Sequence, residues 1–91
     1  MPKFVIERTV PGVAQMSPDQ LHGLSAQSNA VLRGMGTDIQ WVHSYVAEDR
    51  LFCVYNAERA DLIHEHARRG GFPCDNVRQV TALIDPVTGE G

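Results

Sequence analysis

The chain has 91 residues, 43% of them hydrophobic, and a formal net charge of −3, which describes one domain small enough that a second copy would be an economical way to bury its core. Its eight Lys and Arg residues are scattered rather than striped, so it lacks the concentrated positive surface that a nucleic-acid partner requires. No apolar run approaches the roughly 20 residues needed to cross a bilayer, and Met1-Pro2-Lys3 leads into a strand pattern rather than a signal-peptide core, so the expected location is cytoplasmic, away from membranes.

The first element is a strand over Lys3 to Thr9, where Phe4 and Ile6 alternate with Val5, Glu7 and Thr9 before Pro11-Gly12 ends it. A helix start follows at Ser17. The Ser17 side chain can cap, Pro18 suits the first helical position, Gln20 completes a capping box and Asp19 complements the dipole. Leu21, Leu24, Ser28, Val31 and Leu32 form the inward stripe of this helix, and Gly34 or Gly36 stops it.

Ile39 to Ala57 reads as a β-hairpin turning through Glu48-Asp49-Arg50. Strand alternation places Trp41, His43 and Tyr45 on one face. Pairing Tyr45 with Cys53 and His43 with Tyr55 then gathers Val42, Val46, Phe52 and Val54 on the opposite, core-like face. Asn56 is positioned to cap a second helix whose Ala60, Ile63 and Ala67 face inward, with Arg68-Arg69 near its C-terminal end and Gly70-Gly71 beyond. A last strand is expected from about Val77 to Ile84. The division is thus one domain over residues 1–86 and a short, mobile tail at 87–91.

The order β-α-β-β-α-β is the split βαβ pattern of ferredoxin-like α+β domains. Right-handed crossovers put both helices on one face of a four-stranded antiparallel sheet. The other face is left for a second sheet, so the expectation is a homodimeric α+β barrel with a site between the sheets.

The segments KFVIERTVPG, WVHSYVAEDRLFCVYNA and HARRGGFP resemble a family of small bacterial proteins that includes a nickel-binding protein. The similarity runs from Phe4 to about Pro86. It implies a ferredoxin-like dimer and a connection with nickel, without supplying a ligand set that maps onto these positions.

Among the residues themselves, His43 leads as a metal donor, since imidazole suits nickel, zinc, copper and iron, with Glu7 beside it. Cys53 is a soft-ligand or redox candidate on the same expected face. His66, near a helix end where the dipole favours its protonated form, is a further ligand or proton-transfer candidate. His64 cannot join it, because positions two apart do not share a helix face. His22 reads as surface. Trp41, Tyr45 and Tyr55 form an expected aromatic wall for a small molecule. Cys53 and Cys74 match neither a zinc spacing nor a disulfide framework.

Three functions remain open: a homodimer binding nickel or another divalent transition ion, a small-molecule binder or oxygenase- or isomerase-type enzyme of the dimeric barrel class, and a self-association module. No Ser-His-Asp order, phosphate loop or nucleotide fingerprint supports acyl or phosphoryl transfer.

Overall fold

The computed structural model describes residues 1–91 and contains the expected elements: β1 (Lys3–Thr9), α1 (Pro18–Arg33), β2 (Ile39–Ala47), β3 (Arg50–Ala57), α2 (Ala60–Gly70) and β4 (Asn76–Gln79). The strands form one antiparallel sheet in the order β2-β3-β1-β4, with two helices on one face, a ferredoxin-like α+β fold. The core lies between that face and the helices, where Phe4, Ile6, Ile39, Cys53, Tyr55, Ala57 and Ile63 pack together.

α1 begins as its sequence dictates. The Gln20 amide donates to Ser17 Oγ at 3.2 Å and the Ser17 amide donates to Gln20 Oε1 at 2.8 Å, closing the capping box. The inward stripe, however, is packed loosely: only Ser28 is buried on this helix, while Leu21, Leu24, Val31 and Leu32 are half-buried. α2 starts later than Asn56 suggests. β3 runs on to Ala57, which pairs with Ile39, so Asn56 remains in the strand, accepts a hydrogen bond from Lys3 Nζ, and leaves Arg59 as the N-cap. Gly71 ends α2 in the left-handed region at φ 69°, a conformation glycine adopts without strain.

β4 is shorter than expected for a geometric reason. It runs antiparallel to β1, Gln79 opposes Phe4, and the Val80 amide reaches the Lys3 carbonyl where β1 begins. Beyond that point there is no partner strand, and Leu83 and Ile84 stand exposed. In the tail, Asp85 caps a single 3-10 turn over Pro86–Gly89.

The hairpin register also differs from expectation. Trp41 opposes Tyr55, His43 opposes Val54, Ser44 opposes Cys53 and Tyr45 opposes Phe52, with a bulge between Trp41 and His43. The extra residue breaks strict alternation, so Trp41 lies on one face while His43 and Tyr45 lie on the other. β1 sets which face is which. Buried Phe4 and Ile6 oppose Tyr55 and Cys53, carrying those two beneath the helices, and Val5 and Glu7 oppose Val54 and Phe52 on the open side.

A candidate functional site beneath the helices

The loose packing of α1 leaves a cavity of about 390 Å³ between that helix, the sheet and the Gly70–Pro73 segment. Leu21, Leu24, Trp41, Val46, Leu51 and Phe72 give it an apolar body, and Arg8, Ser28, Ser44, Tyr55 and His66 give it polar walls. Each is placed by its element. Arg8 follows Phe4 and Ile6 at strand spacing and is 3% exposed. His66 lies one turn beyond Ile63 on the buried stripe of α2 and is 1% exposed.

Arg8 Nη1 donates to the Pro73 carbonyl, its guanidinium lies 5.9 Å from the Phe72 ring centroid, and its buried Nη2 has no partner. Tyr55 and Phe72 flank the His66 ring at centroid distances of 5.5 and 5.2 Å. His66 Nε2 and Ser28 Oγ are hydrogen-bonded at 3.2 Å, while Nδ1 is buried without a partner. Burial first, and then the positive charge of Arg8, push the imidazole down to about 4, against a smaller opposing effect of Ser28. The imidazole is therefore neutral near pH 7. The expected dipole-favoured protonation is overridden by desolvation. Burial likewise raises the Tyr55 phenol, with Arg8 opposing, so this ring too stays neutral.

The expected site residues are thus divided by the sheet. Cys53, His66, Trp41 and Tyr55 lie on the helix-covered side, where the Trp41 indole donates to Ser44 Oγ at 2.9 Å. Glu7, His43 and Tyr45 lie on the open side. There the Glu7 carboxylate accepts hydrogen bonds from Arg50 and from Asn76 Nδ2, and the His43 ring meets Tyr45 edge-on at 5.0 Å. His43 and Glu7 sit on strands separated by β3, roughly 10 Å apart across the sheet. No group of three or more His, Cys, Asp or Glu side chains comes together to hold a metal ion within the chain.

Arg8, Ser28 as a polar group, and Phe72 are not among the site residues expected from sequence. Arg8 did leave a signal, a charge at the next inward position after Phe4 and Ile6. Gly70 lets the Phe72 ring pack against its backbone: a Cβ there would run into the ring, so glycine serves close approach here and not backbone angles.

A family model described as "Nickel responsive protein SCO4226-like" matches residues 4–80. The crystal structure of SCO4226 from Streptomyces coelicolor A3(2) superimposes with a TM-score of 0.73 at 18% identity, covering 90% of this chain and 99% of that one. This likeness establishes a common fold. No curated protein matches the chain.

Proposed function

Because the chain belongs to the SCO4226-like family of nickel responsive proteins, we propose that it is a homodimeric binding protein for a divalent transition ion, nickel first, with the open sheet face as the dimer surface and His43 as its own leading donor. Family membership is the observation that carries this reading. The open face supports it with Val5, Phe52 and Val54, apolar groups that no helix covers, and with an exposed imidazole beside Tyr45.

One chain does not supply a complete coordination sphere. Glu7 is engaged by Arg50, and the covered pair His66 and Cys53 shares its side of the sheet with the Arg8 guanidinium, a poor neighbour for a cation. The reading therefore rests on two copies of His43 brought together by two-fold pairing, with solvent completing the sphere. Isothermal titration of tag-free protein with nickel should give saturable binding that His43→Ala abolishes and His22→Ala leaves intact. Binding that survives His43→Ala would remove this residue from the site, and absence of binding in the parent would remove the metal reading.

A further inference from the structure

The cavity beneath the helices is separate from the open-face reading, and its charge is of the wrong sign for a metal ion. We propose that it is a binding site for a small monocarboxylate with an apolar body, the carboxylate held by Arg8 and His66. Arg8 is the cavity's one charged wall, no Asp or Glu lines it, and Arg8 forms no ion pair anywhere in the chain. A buried guanidinium without a counter-charge is costly. The neutral states of Tyr55 and His66 supply none.

An entering carboxylate meets this deficit and fits the donors that are free. Arg8 Nη2 lacks a partner, and Arg is the side chain best suited to grip a carboxylate through two parallel hydrogen bonds. If the Ser28 hydroxyl donates to His66 Nε2, the ring carries its proton on Nδ1, the other buried atom without a partner, which then serves as a second donor. The remaining walls, from Leu21 and Leu24 to Leu51 and Phe72, suit an alkyl chain or an aromatic ring, and about 390 Å³ lies within the usual range for small-ligand sites. A neutral ligand would leave the charge unanswered. A cation would add to it.

Calorimetric titration of the folded chain with octanoate, and with octanol as its neutral counterpart, tests the assignment. Octanoate should bind one per chain and more tightly than octanol. Arg8→Gln should weaken octanoate about tenfold or more, the scale of one charge-assisted hydrogen bond, while changing octanol much less. Leu24→Trp keeps Arg8 but fills the space for the apolar body, and should weaken both. Because Arg8 is buried, Arg8→Lys serves as a second variant, retaining the charge without the fork, with an affinity between parent and Arg8→Gln. Lack of octanoate binding by the parent, equal affinity for octanol, or unchanged octanoate affinity in folded Arg8→Gln and Arg8→Lys would each overturn the proposal. So would unchanged octanoate affinity in Leu24→Trp.

Discussion

The two faces of β1 and β3 are built from alternate residues of the same few positions, yet they have become different surfaces. On the covered side Phe4, Ile6, Cys53 and Tyr55 are buried; on the open side Val5, Glu7, Phe52 and Val54 are only half-buried. The covered face is itself uneven. Around Ile39, Ala57 and Ile63 it is closed and apolar, whereas toward Arg8, Ser28 and His66 it opens into a cavity. The two proposals follow this division: a ligand in the cavity of the covered face, and a second copy of the chain against the open one. A strand does not need to choose between stability and function when its two sides can be given different partners.

The largest loss is expected from a cavity-forming change in the closed part of the covered face. Ile6→Ala should lower stability by about 2–5 kcal/mol, because Ile6 has no exposure and its surroundings can collapse only in part. Val54→Ala on the open face should cost clearly less in the isolated chain. Urea unfolding at a protein concentration low enough to keep parent and variants monomeric measures both, and equal losses would deny that the two faces differ in packing.

Next in size is the effect of pH on the hollow end of the same face. His66 is held near 4 in the folded chain, against 6.5 for an unburied imidazole. Between these values the unfolded chain binds the extra proton. Stability from this group is therefore fully present above about pH 6.5 and is lost as pH falls toward 4, by up to about 3 kcal/mol. Arg8 and Tyr55 face the ring, and the Tyr55 phenol, pushed up by burial, stays neutral through this window. His66→Gln should flatten the slope of unfolding free energy against pH over that interval, and an unchanged slope would mean that His66 is not buried as described.

Smallest is the loss of the α1 cap. Ser17→Ala should cost about 1 kcal/mol, and it should leave both nickel and octanoate binding alone, since Ser17 lines neither surface. A change in either affinity with the fold intact would require the site to be placed nearer the start of this helix.

The element order and fold class were legible because they depend on local signals: the Ser17 capping box, the alternation around Phe4 and Ile6, and glycines at the helix ends. The length of β4 was not, since Val80 to Ile84 keeps a strand-like pattern but has no partner beyond Lys3. The hairpin was misread in one specific way. Strict alternation joined Trp41 to His43, and a hydrophobic sorting of β2 against β3 then chose the register, but the bulge separates those residues and β1 decides which side is core. For that reason the expected set of Glu7, His43, Cys53 and His66 fell on two sides of the sheet. Trp41, Tyr55 and His66, expected site residues, are gathered by the helix-side cavity instead of by the open face. Arg8 was not an expected site residue, because a charge at a strand end usually belongs to solvent.

If the open face is completed by a second copy of the chain, as proposed, sedimentation equilibrium on the parent and on Val54→Asp will show it. Val54 opposes both Val5 and His43 at the middle of that face, so a carboxylate there would be drawn out of water between the two sheets, a cost that the His43 imidazole across the strand pair offsets only in part. The parent, a chain of 10.0 kDa, should sediment as a dimer at micromolar concentration and Val54→Asp as a folded monomer. A monomeric parent, or a dimer that Val54→Asp leaves unchanged, would contradict the claim.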